Sequence, residues 1–479
     1  LGLESSVNIG YEKKNFRDMT TTVGSSSYLK VESDIMEETK KASGKELLGW
    51  AMFDFANSSY TTVIITVVFC IIFPRLIVGD GPEYRMGNFL WSVTLSLSYL
   101  IVLLTAPFFG ALMDYTGAKK QFLFCSYLLT VTTTAALYFV HPGNILLAVL
   151  LIVLSNVGFS YSESFVSSFL PGLGPPETLG KISGYAWGLG YLGGLLSTAM
   201  VMLGLNAGVY TLENFYNLRL VGPVTALFFL LAAIPTFLWV QDRTIPKSLP
   251  VSESYFTIGL KRLKKTFSDI RDYRDLVILL ASFFFAYAGL SIVISFAFVY
   301  GDQIIKWSSN TQILMFAMTQ LTAASGALLF GMLQDKWKAK QTFILTLMLW
   351  VVTISLIYVV APLTDLFQHL GIVCIQQEHV FLAIGAIAGL GLGSTQSAYR
   401  AMVGLFAPNT KAGEFFGLWS FTSRLSSIFG LMGLGILQAI LGLQEAILVC
   451  LAFFLVALTI VLFVDEERGK TAAKRHAGE

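Results

Sequence analysis

The chain has 479 residues, 55% of them hydrophobic and only 13% charged, with a mean hydropathy of +0.68. Soluble domains are about a quarter charged, so this composition excludes a water-soluble globule and predicts an all-α polytopic membrane protein. A net charge of +2 gives no global field for nucleic acid, and the scattered Cys70, Cys125, Cys374 and Cys450 and four dispersed histidines form no disulfide frame or metal-ligand spacing.

Residues 1–45 are polar and rich in Ser, Thr, Glu and Lys, which predicts a mostly disordered tail. They lack the charged-then-apolar order of a signal peptide. Twelve apolar runs follow, at about 47–73, 87–112, 121–140, 144–170, 180–206, 218–240, 274–300, 309–333, 341–362, 379–403, 413–440 and 443–464. Each can cross most or all of a ~30 Å hydrocarbon core as a helix rising about 1.5 Å per residue. The widest break, 241–273, holds Pro246, Pro250 and the basic cluster Lys261, Arg262, Lys264 and Lys265. It separates a six-helix bundle at 46–240 from a second at 274–464, and 465–479 forms a C-terminal tail.

Loops after even-numbered runs, with the C-terminal tail and the boundary residues Lys181 and Arg274, hold 19 Lys and Arg; those after odd-numbered runs hold three besides the boundary residue Arg219. Basic loops stay in the cytoplasm, so both termini and the 241–273 linker are expected there.

The first run opens on Gly49-Trp50-Ala51-Met52-Phe53-Asp54-Phe55-Ala56-Asn57-Ser58-Ser59-Tyr60. Asp54, Asn57, Ser58 and Thr61 share one helical face. A carboxylate at that depth costs several kcal/mol against lipid, so the face predicts a wet cavity or protein partner. A packing aspartate satisfied by Asn57 and backbone is the plainer alternative. Tyr60 is placed with this group.

Gly110, Asp114 and Lys119, between runs 2 and 3, recur as Gly331, Asp335 and Lys340, between runs 8 and 9, at an offset of 221 residues. Glycine allows close helix approach, aspartate can meet the positive end of a neighbouring helix, and lysine suits an anionic surface. The second copy is degenerate, with Trp337 near where the first has Thr116-Gly117.

Run 4 carries Asn156, Ser160, Glu163 and Ser167 on one face, and Glu163 matches Asp54 in depth. Pairing with a rim cation such as Lys181 would explain Glu163 equally simply. In run 5, Gly188, Gly190 and Gly193 spell a GxGxxG, but with no preceding strand it signals helix packing rather than a nucleotide site. Trp187 and Tyr191 are candidates for the cavity wall. Run 10 sets Gln396 and Arg400 on one face, with snorkelling to the nearby rim as the alternative for Arg400. Run 11 holds Trp419 and Arg424, and Arg424, ~16 Å into its helix, is the deepest positive charge.

The repeated loop resembles the signature of the major facilitator superfamily. Three further segments resemble its vacuolar-effluxer-like branch of fungal autophagy-related vacuolar amino-acid effluxers and bacterial relatives. They are Asp54-Phe55-Ala56-Asn57-Ser58; the run from Pro176-Glu177 through Lys181, Ser183-Gly184 and Trp187-Gly188 to Gly193-Gly194; and Gln396 to Arg400 with Pro408, Phe415 to Trp419 and Arg424. That branch usually has lysine where this chain has Arg424.

The resemblance implies the major facilitator fold, two pseudo-symmetric six-helix bundles around a central site. It implies a secondary transporter for a small, zwitterionic or carboxylate-bearing solute such as an amino acid, working by efflux, with proton coupling left open. Asp54, Asn57, Tyr60, Glu163, Trp187, Tyr191, Gln396, Arg400, Trp419 and Arg424 would contact the substrate. Gly110, Asp114, Lys119, Asp335 and Lys340 would gate it. No cofactor or metal is implied, and a monomer in the lipid bilayer is expected, in a bacterial inner membrane or a eukaryotic vacuolar, lysosomal or plasma membrane. The rival readings are a transport-inactive sensor or scaffold, a carrier of a larger metallophore-like metabolite and, last, a membrane-embedded enzyme.

Overall fold

The computed structural model describes residues 42–79, 84–244, 246–247, 254–268, 272–372 and 375–475. The expected tail at 1–45 lies outside these residues except for its last four positions. Among the described residues, twelve helices are long and apolar enough to span a membrane. They are α1 Gly44–Val78, α2 Arg85–Thr116, α3 Lys119–Phe139, α4 Ile145–Gly172, α5 Leu179–Gly204 and α6 Phe215–Trp239. The second set is α7 Arg274–Ile305, α8 Asn310–Trp337, α9 Ala339–Tyr358, α10 Gln377–Phe406, α11 Ala412–Leu441 and α12 Leu443–Val461. A linker helix, Tyr255–Ser268, lies between the sets, and a tail helix, Glu466–Arg475, follows α12. With an even number of spans, the two ends of the described chain lie on one face, called here the terminal side.

Local chemistry fixes the helix ends. Ser43 caps α1 by accepting the Glu46 N–H at 3.2 Å. Gly117 ends α2 at φ +62°, and Lys338, the equivalent position in the repeat, ends α8 at φ +116°. The predicted run at 47–73 falls short of α1, which continues through π-helical turns at Tyr60–Val67 and Phe73–Val78. The outer end of α7 closes with another at Gly301–Ile305. Such turns insert an extra residue into the hydrogen-bond ladder, a feature that apolar periodicity does not reveal.

Each bundle is clasped to itself on the terminal side. In the first, Lys120 at the start of α3 donates its backbone N–H to Asp242 (3.0 Å) and its Nζ to Val240 O (2.9 Å), beyond the end of α6. In the second, Lys340 donates its backbone N–H to Glu466 (2.9 Å) and its Nζ to Leu462 O (2.7 Å), beyond the end of α12. An acid at the head of each bundle also meets an arginine after its sixth helix: Glu46 with Arg243 through two bonds of 2.7 Å, and Asp275 with Arg468 at 2.6 and 2.8 Å.

The bundles meet along α2–α11, α5–α8, α5–α10 and α4–α11. Glycine lets backbones touch there, because lipid supplies no hydrophobic drive and close packing must hold the helices. A Cβ on Gly413 would stand 2.6 Å from Gly110 O, and one on Gly331 the same distance from Gly180 O. The glycines of α5 also serve packing: Gly190 and Gly194 face Ser58 and Thr62 of α1, and Gly188 faces Leu328 of α8.

Candidate functional site

Arg400 is 1% exposed, so it does not snorkel. Its Nη1 donates to Asp54 Oδ2 at 2.6 Å, its Nε to Ser183 Oγ at 3.1 Å and its Nη2 to Ser183 O at 3.2 Å. The guanidinium carbon also lies 4.8 Å from the Trp50 ring centre and 5.1 Å from that of Trp187, distances at which indole faces attract a cation. Arg400 comes from α10, whereas Asp54, Ser183 and both tryptophans come from α1 and α5. This cation therefore ties the second bundle to the first with each of its nitrogens engaged. The rim expectation fails because Arg400 has a carboxylate on the facing helix to satisfy it.

Glu163 finds Arg424 rather than Lys181. Arg424 Nη2 donates to Glu163 Oε2 at 3.0 Å, and the guanidinium carbon lies 5.2 Å from the Tyr99 ring centre. Lys181 turns its Nζ over the Tyr185 ring, at 5.6 Å. Arg424 differs from Arg400 in one respect: its buried Nε has no hydrogen-bond partner among the described residues. Asn57 Oδ1, Ser160 Oγ, Trp187 Nε1 and Trp419 Nε1 share that condition. A buried polar atom left unpaired costs about 1–3 kcal/mol, so such atoms mark where a polar solute has something to gain. The two ion pairs lie within electrostatic range of each other, since Asp54 and Arg400 both act on Glu163.

Nearby, Tyr191 donates its hydroxyl to Gln396 Oε1 across α5 and α10. Tyr60 departs from expectation. Its hydroxyl bonds Ser155 Oγ at 2.8 Å and its ring stacks on Phe159 at 5.3 Å, so α1 turns it into the core of the first bundle, fully buried. At 3.6 residues per turn, Tyr60 falls about 120° around the helix from Asp54, off the face that Asp54 shares with Asn57.

Below the ion pairs, the repeated motif closes the terminal side twice. Asp114, at the end of α2, accepts the backbone N–H of Glu414 at the start of α11, at 2.9 Å. Asp335, at the end of α8, accepts the backbone N–H of Lys181 at the start of α5, at 3.1 Å. Each carboxylate sits at the positive end of a helix in the opposite bundle. Lys119 supports Asp114 at 3.7 Å and donates to Ser168 O at 3.2 Å. Lys340 has no such place: it belongs to the clasp within the second bundle, so its expected gating role is not seen. Its backbone and Nζ are drawn to Glu466 and Leu462 because α9 begins beside the end of α12.

Trp50, Ser183, Tyr99 and Tyr287 were not singled out as site residues by the sequence. Trp50 lies four residues before Asp54, and Ser183 four before Trp187, so helical spacing carried a signal for both. Tyr287 is an electrostatic neighbour of Arg424 and Glu163; it and Tyr99 carried none beyond being aromatic.

Comparison with known proteins gives this geometry its context. The family described as vacuole effluxer Atg22-like matches residues 90–179 and 177–474. An uncharacterized transporter of the major facilitator type, YxiO of Bacillus subtilis, is 26% identical over 88% of this chain and 95% of its own length. Autophagy-related protein 22 of Coccidioides immitis is 23% identical over 83% of this chain and 75% of that protein. Among solved structures, a bacterial homologue of the iron transporter ferroportin in its outward-facing state superposes with a TM-score of 0.63 at 15% identity, covering 87% of this chain and 98% of that one. The proton:xylose symporter XylE gives 0.63 at 14%, over 90% and 97%. These two likenesses speak to the fold, two bundles of six helices. With the family match running through both bundles, the chain belongs to the vacuole effluxer Atg22-like family of major facilitator transporters.

Proposed function

We propose that this transporter carries a small zwitterion of the amino-acid type by alternating access, with Arg424 as the receptor for its carboxylate. The observation that carries the reading is the buried, unpartnered Nε of Arg424 beside a second donor already engaged by Glu163. A carboxylate can accept two parallel N–H bonds from a guanidinium. It would compete with Glu163 for Arg424 and leave the Glu163 carboxylate to face the ammonium of the solute. Asn57 Oδ1 and Ser160 Oγ supply further acceptors, and Trp187 and Trp419 supply indole N–H donors. Arg400 is assigned to joining the bundles, because each of its nitrogens is already bonded.

The contacts from Asp54–Arg400 down to Asp335–Lys181 support a conformer closed to the terminal side, which the basic loops assign to the cytoplasm. Loading then occurs from the external or luminal side. For a vacuole-like compartment, release to the cytoplasm is efflux from its lumen. Protonation of Glu163 would free Arg424 for substrate and couple transport to a proton.

The test is uptake by proteoliposomes against a panel of amino acids and small carboxylates, with and without a pH gradient. Accumulation of zwitterions that is lost in Arg424→Gln, in protein that keeps its thermal stability, supports the reading. Undiminished accumulation in Arg424→Gln, or none of any panel member by the parent, sinks it.

A further inference from the structure

We propose that the linker helix, Tyr255–Ser268, binds anionic lipid headgroups at the terminal-side surface, and that lipid held there keeps the terminal gate shut. The helix has three distinct faces at helical spacing. One faces protein: Ile258 is buried, Gly259 lies against the ring of Phe108 in α2, and Arg262 Nε bonds Glu414 Oε1 at 2.5 Å. Arg262 Nη2 also reaches Thr410 O at 3.4 Å. Through this face the helix bridges α2 of the first bundle and the start of α11 in the second. Glu414 is the residue whose backbone N–H Asp114 holds, so the linker helix and the gate share one anchor.

The second face is apolar and only partly covered, by the ring of Phe108 at 5.3 Å from that of Phe256. Phe256 and Leu260, four residues apart, are 63% and 47% exposed. The third is basic: Lys261, Lys264 and Lys265 fall at i, i+3 and i+4, and Lys264 and Lys265 are exposed. A helix with adjoining apolar and lysine faces fits the boundary between acyl chains and headgroups.

The level is right as well. The 32 residues of α2 span about 48 Å against a ~30 Å core. Phe108, eight residues from its end, therefore lies close to the terminal-side boundary. A basic residue near an anionic leaflet contributes about 1 kcal/mol. The occupant that matches both faces at once is the phospholipid itself: acyl chains meet Phe256 and Leu260, and phosphate meets the lysines. Lipid that pins the helix in place preserves the Arg262–Glu414 tie, and with it the closed gate.

The experiment reads gate opening directly. Ser164 of α4 donates to Phe416 O of α11 at 3.0 Å and is buried at the seam. Ser164→Cys, in a chain otherwise freed of cysteine, is labelled by maleimide in nanodiscs of phosphatidylcholine with or without phosphatidylglycerol. Phosphatidylglycerol should slow labelling by about fivefold or more, the factor due to a single lysine at an anionic surface. Lys264→Gln/Lys265→Gln should lose most of that difference, whereas Arg262→Gln should label fast in both lipids. Equal rates in the two lipids, a difference retained in the double lysine variant, or the same slowing by inorganic phosphate in phosphatidylcholine alone would each overturn the proposal. No transported solute is needed, so the result is independent of the substrate reading.

Discussion

The carboxylate of Asp335 and the backbone N–H of Lys181 meet at 3.1 Å, though they belong to opposite bundles. The same bond recurs between Asp114 and Glu414 at 2.9 Å, so two matched ties join the bundles on the terminal side. An acid at a helix N-terminus contributes about 0.3–2 kcal/mol. Asp335→Ala and Asp114→Ala should each raise maleimide labelling of Ser164→Cys, by about 1.5- to 30-fold on that scale. Labelling at the parent rate in both variants would remove the gate from this motif.

Arg400→Gln leaves the Asp54 carboxylate buried with its charge partner gone. Breaking a buried pair from one side costs about 3–5 kcal/mol, so the variant should unfold at a clearly lower temperature. Asp54→Asn with Arg400→Gln should recover part of the loss. If the double variant is no better than Arg400→Gln alone, Asp54 is not what the arginine satisfies.

Lys338 holds φ +116° at the position where the first copy of the repeat has Gly117 at φ +62°. A side chain in the left-handed region costs about 1 kcal/mol or more, so Lys338→Gly should raise thermal stability. Gly117→Ala should lower it by more, because the new Cβ would stand 2.7 Å from Pro246 N. Both changes can be read by thermal unfolding in detergent.

Glu46→Gln and Asp275→Asn break clasps inside single bundles. Their partners Arg243 and Arg468 are 33% and 49% exposed, so solvent screening keeps each loss small. Melting temperature should fall slightly while labelling at Ser164→Cys stays unchanged. A rise in labelling would mean that the bundles do not move as separate bodies.

The spans and the repeat were legible in the sequence because hydropathy and spacing act within one helix. Pairing across the seam was not. Asp54 and Arg400 are 346 residues apart and Glu163 and Arg424 are 261 apart. Which acid takes which arginine depends on helix rotation, which composition does not encode. For the same reason the sequence leaves Arg400 between the site and the rim and makes Arg424 the deep cation, though Arg400 is the more completely bonded. Lys340 was misassigned because a repeat in sequence identifies equivalent positions, and its true equivalent is the clasping Lys120. Tyr60, six residues after Asp54, falls about 120° away around a regular helix, so spacing alone already turned it off the face of Asp54.

Asp114 and Asp335 both bind a main-chain N–H of the other bundle, an atom that every residue except proline supplies. The latch therefore places its chemical demand on one side alone. Position 181 is free to change side chain without loosening the tie, whereas the Glu414 side chain is separately held by Arg262. Positions 114 and 335 are not free. In a saturation scan position 181 should tolerate nearly any residue and reject proline, position 414 should be limited by its bond to Arg262 as well, and the two aspartates should accept almost nothing.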